Sequence, residues 1–506
     1  MSVTELLLSQ LVSKIINHDQ SQIVSEISEL SQAELDQFYE QLKEIDFDQV
    51  EIFKKIIKKE IIINQQKDNL IQPVENLLSL EKQTQDIIEE LQQIGLKSIS
   101  QGQLAIITLA GGQGIQKKIE QNKKLQKGTR LGFDNPKGMF KINLHSKKSL
   151  FQIFAERINR LYELSLQRFP QKENQSGIQW YLMTSKQTDK ETKDFFKKNK
   201  NFGIRDENLH FFQQGYVTCI DKNGKILLEN ENQIYLSPNG NGGVYEALEN
   251  KKILKQLNEQ KIKYVHIVGI DNILVKLGDP TQLGYLIQNN YEIVSKFVKK
   301  AYPEECVGVH VLKNQKPFII EYSDMTQQQI YEKNLSGQYK FNQGFICNFI
   351  CQVSFLNRII QDSQQTNQLM VYHQAIKQVS YYDVFKKEIV YPNEKNAYKF
   401  ELFIFDAFQL SNSFGLIEVN REQEFAPIKN NDNNSNIDTP LTALELVSKL
   451  HRQWLIQAGY VIDFQASTQN VFEVDQTISY QGENIKKPSD EHKHIQENNF
   501  YLQKQQ

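Results

Sequence analysis

The chain has 506 residues, enough for two or three domains, and 39% of them are hydrophobic, enough for a sizeable core. Its 59 Lys and Arg nearly balance 61 Asp and Glu, and a net charge of -2 excludes a general attraction to nucleic acid or to an anionic membrane, so any phosphate-binding charge must be local. Only four cysteines, no basic flank in Met1–Glu5 and no apolar run near the ~20 residues of a membrane span exclude a disulfide scaffold and a spanning protein and predict a cytoplasmic one.

Residues 1–100 read as helices. Leu6, Leu7, Leu8, Leu11, Val12, Ile15 and Ile16 recur at helical spacing, Ser31-Gln32-Ala33-Glu34 is a capping-box pattern, Ile56, Ile57 and Ile61 to Ile63 suggest a third apolar face, and Thr84 to Leu96 a fourth helix. From Leu104 the pattern turns to strand–helix alternation. Strands are predicted at 104–109, 179–183, 209–212, 264–267, 307–312, 318–322 and 400–405, with helices at 150–164, 188–198 and 245–259 between them. Such alternation predicts an α/β layer fold with a largely parallel sheet, whose ligands lie beyond the carboxyl ends of the strands. The asparagine-rich 430–436 reads as a loop, 442–457 as a late helix, and the tail after Gly482 as polar and mobile.

The chemistry begins where the first strand ends. Leu109-Ala110-Gly111-Gly112-Gln113-Gly114 is a glycine-rich turn whose backbone N–H groups can face a phosphate. It is not GxGxxG, and no acidic residue closes a second strand about 20 residues on, which argues against a dinucleotide site. Thr129-Arg130-Leu131-Gly132 and Pro136-Lys137-Gly138-Met139 follow. Arg130 offers a planar fork to the β- and γ-phosphates, and Lys137 a point charge beside the α-phosphate, where negative charge builds during displacement. A glycosyltransferase on a similar fold is disfavoured, because no Asp-x-Asp ends a core strand.

With these motifs go LFQIFAERI (150–158), MTS (183–185), FFQQG (211–215), SPNGNGGVYEAL (237–248), DNILVKLGDP (271–280), IEYSD (320–324), FIFD (403–406) and EFAPIKN (424–430). Over most of its length, from about Leu6 to Asn484, the chain resembles the eukaryotic UDP-N-acetylhexosamine pyrophosphorylases, or UTP–N-acetylglucosamine-1-phosphate uridylyltransferases. The resemblance implies a Rossmann-like nucleotidyltransferase domain (glycosyltransferase-A-like) at 101–395, a helical region at 1–100, and a small C-terminal region at 396–506 that adds lysine and aromatic residues to the site. It implies the partners UTP, an N-acetylhexosamine 1-phosphate and pyrophosphate, with neither nucleic acid nor membrane, and Mg²⁺ as cofactor, with Mn²⁺ as the alternative.

Position by position, the resemblance assigns Leu109, Ala110, Gly111 and Gly112 to the nucleotide loop and Arg130 and Lys137 to catalysis. Gln214 falls to the uracil edge, Gly240 to close approach at the base and Asn241 to the sugar side. Asp271 is the implied metal carboxylate. Gly308, Glu321 and Tyr322 fall beside the amino sugar, Phe403 and Phe405 form an apolar wall for the acetamido group, and Lys399 and Lys429 close over the phosphates from the nucleotide and sugar sides. Asp406 is a second, weaker candidate for metal or sugar.

Two departures stand out. Phe345, in Phe341-Asn342-Gln343-Gly344-Phe345, replaces a family Asn that touches the hexosamine, which keeps open a UDP-sugar pyrophosphorylase for hexose phosphates without the acetamido group. In the family LAGGQG runs straight into TRLG, whereas here Ile115–Gly128, IQKKIEQNKKLQKG, intervenes with five lysines. It reads as a clamp of extra cations, as a surface bulge that leaves Thr129 and Arg130 in place, or as a short intron translated in frame. Its composition and flanking glycines favour the last. A real insertion would make this a catalytically impaired copy.

Overall fold

A computed structural model describes residues 3–25, 29–58, 71–112, 130–171, 177–366, 370–462, 470–490, 493–495 and 499–504. The chain forms two compact units, Met1–Asn69 with Gln214–Glu246 and Ser363–Asp406, and Leu70–Gln213 with Ala247–Asp362 and Ala407–Gln506. This interleaved division differs from the three consecutive regions 1–100, 101–395 and 396–506. The physical reason is that the early helices bury their apolar faces on later chain.

In the first unit, helices α1 (Val3–Asn17), α2 (Gln32–Lys43) and α3 (Phe47–Ile57) form the N-terminal part. The Ser31 N–H donates to Glu34 at 2.9 Å, and Asp46 accepts from the Gln49 N–H at 3.1 Å, so both α2 and α3 start on side-chain caps. Their apolar residues Phe38, Phe47 and Phe53 share a core with Val217, Ile234 and Phe400. Phe53 stacks on Phe400 at 3.8 Å and meets Tyr372 edge-on at 4.9 Å. Phe400 and Tyr372 lie on neighbouring strands of a small antiparallel sheet, Tyr372–Lys377, Ala397–Leu402 and Ile220–Asp221. Ile61–Ile63 lie outside the described residues.

The second unit is built on one large sheet. Its strands are β1 (Leu78–Ser79), β2 (Leu104–Leu109), β3 (Gln179–Thr184), β4 (Leu209–Gln213), β5 (Tyr264–Gly269), β6 (Ile293–Lys299), β7 (Val309–Lys313), β8 (Lys316–Ile320), β9 (Gln343–Gln352) and β10 (Phe414–Glu418). The order is β1-β10-β6-β9-β5-β2-β3-β4, with hairpin β7–β8 joined to β9. All neighbours along the order are parallel except β9, which runs antiparallel to both β5 and β6. Leu104, Ala105, Ile106 and Ile107 are all buried, a continuous apolar run rather than an alternating one, as befits a strand covered on both faces. Helices α4 (Gln85–Ser100), α5 (Leu150–Arg168), α6 (Pro280–Asn289) and α7 (Pro440–Gln457) belong to this unit.

Several expectations need correction. Strands β6, β9 and β10 were not foreseen. The strand expected at 400–405 ends at Leu402, because Ile404–Leu410 turns into a 3-10 helix. The helix expected at 245–259 breaks at Lys252, whose φ of +58° is left-handed. The tail is not featureless: Asn499–Leu502 pairs in parallel with Val471–Val474, and the Tyr501 hydroxyl donates to Asp475 at 2.6 Å.

Candidate active site

Strands β2 and β5 are parallel neighbours and end together, Leu109 opposite Gly269. The Ile270 N–H donates to Leu109 O at 3.3 Å, and the Ala110 N–H to Met183 O at 2.8 Å, which fixes the first turn after β2. Gly111 is buried and Gly112 exposed. Among the described residues nothing lies within 4 Å of where a Gly112 Cβ would stand. Asp271 leaves β5 beside this turn. Gln113, Gly114, the whole 115–128 stretch and Thr129 lie outside the described residues.

Charged groups gather around Lys137. Lys137 sits in a 3-10 turn after Pro136, closed by the Phe140 N–H on Lys137 O at 3.0 Å. Burial holds its ammonium below the usual lysine range, Asp271 opposes that shift, and the charges of Lys429 and Arg130 reinforce it. Asp271, Lys429 and Arg130 are therefore each near enough to act on Lys137. Lys429 Nζ also reaches Asp438 at 3.4 Å and stands over the Phe425 ring at 5.7 Å.

Sequence reasoning missed what holds Arg130 in place. The asparagine-rich loop does it: the Asn431 N–H donates to Arg130 O at 2.9 Å, and Asn431 Nδ2 donates to Leu131 O at 3.1 Å. Asn431 comes two residues after Lys429, so one loop sets both cations. The only signal was adjacency to a motif.

On the sugar side the same unit brings Gly308, Glu321 and Phe345 together. A Cβ on Gly308 would stand 3.6 Å from Glu321 Oε1 and 2.7 Å from Ile319 Cγ2, and the Phe345 N–H donates to Gly308 O at 2.8 Å. Tyr322 is 44% exposed, open to a ligand rather than packed. Phe345 meets His310 edge-on at 5.5 Å and Phe408 at 5.9 Å, an apolar setting in keeping with the loss of the family Asn.

The other assigned residues belong to the first unit. Gln214 is buried at its start. Gly240 has φ +88°, and a Cβ there would meet Leu402 O at 2.5 Å, so only glycine fits. Asn241 Oδ1 accepts from the Ile404 N–H at 2.9 Å and so ties the glycine turn to the aromatic segment. Lys399 stands over the Tyr235 ring at 5.7 Å. Phe403 and Phe405 are neighbours with ring centroids 5.2 Å apart. His373, which sequence reasoning passed over, stacks on Phe403 at 4.0 Å, and its Nε2 donates to Asp406 at 2.8 Å. One Asp406 oxygen is thus engaged by a histidine. Among the described residues no three His, Cys, Asp or Glu side chains cluster to hold a metal.

A glycine turn and convergent cations beyond the carboxyl ends of parallel strands define an α/β nucleotidyltransferase. The chain belongs to the family described as UTP–glucose-1-phosphate uridylyltransferase, which matches residues 49–500. It is 36% identical over 483 residues to UDP-N-acetylglucosamine diphosphorylase 2 of Arabidopsis thaliana, covering 94% of this chain and 90% of that one. It is 36% identical over 399 residues to the UDP-N-acetylglucosamine pyrophosphorylase of Saccharomyces cerevisiae, covering 78% of each. Among solved structures it is similar to the Trypanosoma brucei uridine diphosphate N-acetylglucosamine pyrophosphorylase in complex with inhibitor, with 28% identity, TM-score 0.79, and coverage of 100% of this chain and 99% of that one. No helix among the described residues is long and apolar enough to cross a membrane.

Proposed function

We propose that the protein transfers uridylyl from UTP to N-acetylglucosamine 1-phosphate in the cytoplasm, giving UDP-N-acetylglucosamine and pyrophosphate. The observation that carries this reading is the gathering of Asp271, Lys429 and Arg130 around Lys137, with Asp271 just past the end of β5 where β2 gives way to its glycine turn.

The sugar phosphate is already an anion, so its oxygen attacks the α-phosphorus of UTP without a general base, and pyrophosphate leaves in line. Lys137 neutralises the charge that grows at the α-phosphate, and Arg130 holds the departing phosphates as a fork. Lys429 supplies charge from the sugar side. One carboxylate among cations fits a divalent ion that completes its shell with phosphate oxygens, rather than one caged by protein. Mg²⁺, or Mn²⁺ in its place, would be held by Asp271 and would screen the triphosphate charge. Gln214 and Gly240 are assigned to the base. Gly308, Glu321 and Tyr322 take the sugar hydroxyls, and Phe403 and Phe405, backed by His373, take the acetamido methyl.

The test is UTP-dependent pyrophosphate release with N-acetylglucosamine, N-acetylgalactosamine and glucose 1-phosphates compared side by side. Preference for an N-acetylhexosamine phosphate is expected. Turnover of glucose 1-phosphate alone would replace this reading with the rival that Phe345 favours, a pyrophosphorylase for sugars without the acetamido group.

A further inference from the structure

Asn272 follows Asp271, is 4% exposed, and spends its amide entirely on backbone. Its Nδ2 donates to Glu424 O at 2.7 Å. Its Oδ1 accepts from the Ala426 N–H at 2.9 Å and from the Leu274 N–H at 3.2 Å. Around it two short segments run side by side. The Ile273 N–H donates to Ala426 O at 3.3 Å and the Ile428 N–H to Asp271 O at 2.9 Å, with Asn272 opposite Pro427.

That pairing is too short to hold its own register, and Pro427 has no N–H to give. The Asn272 side chain supplies what the backbone lacks and bridges 154 residues of sequence to do it. Its far end is itself anchored. The Glu424 carboxylate accepts from Lys276 at 3.0 Å and from Lys296, and Lys296 is also paired with Asp279. Asp279 caps α6 by accepting from the Thr281 N–H at 2.9 Å. Lys296, Asp279 and Glu424 are buried, so breaking any one of these pairs strands a charge, and the anchor is stiff.

We propose that Asn272 is a positioning residue for uridylyl transfer, setting the register in which Asp271 and Lys429 face the phosphates. The inference rests on the functional reading above. It touches no substrate. Its effect passes through the two segments that it locks, one ending in the carboxylate and the other in the lysine. An alanine would free the Ala426 and Leu274 N–H groups. A leucine would bury them unpaired.

The experiment compares Asn272→Ala with Asp271→Asn and Lys137→Met, reading turnover, KM for UTP, the Mg²⁺ concentration for half-maximal rate, and amide hydrogen exchange in the substrate-free protein. Asn272→Ala should lose on the order of 10²-fold in kcat, the effect of about 1 Å of misplacement, with a much smaller change in KM. Half-saturation by Mg²⁺ should rise. Exchange should speed at Ala426 and Ile428 while Ala105–Thr108 in β2 stay protected. Asn272→Ser, which keeps a short acceptor, should recover part of the loss, and it decides by the same readouts if the alanine variant does not fold. Unchanged kcat in a folded variant, or a kcat loss without faster exchange at 426 and 428, overturns the proposal. If Asp271→Asn and Lys137→Met both keep full activity, the functional reading itself falls. If those two are crippled and Asn272→Ala is not, only the positioning role falls.

Discussion

Replacing Lys137 with methionine probes the phosphate half of the site most directly. Methionine keeps the length and apolar stem of lysine, so the turn Lys137–Met139 retains its packing and only the charge goes. In the free protein that charge is held at a cost, because burial, Lys429 and Arg130 all press the ammonium below the ordinary lysine value. With its folded value lowered, the unfolded chain binds more protons than the folded one, so the cation weakens the fold at neutral pH. Lys137→Met should therefore be at least as stable as the wild type. Its kcat should fall on the order of 10²- to 10³-fold, about 2.7–4 kcal/mol, while the KM for UTP moves far less, since the α-phosphate charge grows only toward the transition state. Pyrophosphate release under steady state measures both. A pH series adds a second check, because kcat/KM reports groups of the free enzyme. Its alkaline limb should fall below 10.5, and Lys137→Arg should move that limb outward, since a guanidinium stays charged. A variant with intact kcat and raised KM would refute the reasoning by placing Lys137 in ground-state binding.

Asp271→Asn should lose activity that no practical Mg²⁺ concentration restores, because charge rather than shape holds the ion; wild-type metal dependence in a metal titration would reduce Asp271 to a backbone role. Phe345→Asn should speed turnover of N-acetylhexosamine phosphates at a cost in melting temperature, since it removes edge-to-face contacts with His310 and Phe408 worth about 0.5–1.5 kcal/mol each; unchanged rates with every sugar phosphate would show that the ring does not face the sugar. Deleting Ile115–Gly128 should give a soluble protein much faster than the full chain, and a full chain of equal rate would make the insertion a true adaptation. Stability should fall as pH drops from about 6.5 toward 4. Burial holds His266 at about 4 and His310 and His451 at about 3, so the unfolded chain takes up protons that the folded one refuses. Each contributes up to about 1.4 kcal/mol per pH unit, and a denaturation midpoint flat over that window would contradict the burial of these rings.

The strands that could be read from sequence were those that end in a motif. β2 is a mainly apolar run, broken only by Thr108, before glycines, and β5 one broken only by His266 before Asp271. The strands that escaped carry polar residues whose partners lie far along the chain. In β6, Ser295 and Lys296 break the apolar pattern, and nothing local says that Lys296 is buried against Asp279 and Glu424. In β9, Gly344 and Asn348 do the same, and the register shifts between Phe345 and Phe349. The site divides in the same way. The residues proposed to face the phosphates sit in contiguous segments, and contiguous segments are what a sequence displays. Asn431, Asn272 and His373 act by holding other residues, and that role exists only once the chain is folded.

The interleaving of the two units has a consequence during synthesis. Helices α1–α3 leave the ribosome well before the chain they pack on, since Phe53 finds its stacking partners only at Tyr372 and Phe400. At ~5–20 residues per second, roughly 17–70 s pass between making Phe53 and reaching the second of these rings. Through that interval Phe38, Phe47 and Phe53 have only part of their core, since Phe400 and Tyr372 are still to be made. The nascent N-terminus is thus the segment most in need of a chaperone. A polypeptide cut anywhere before residue 400 would keep these helices and never complete their core.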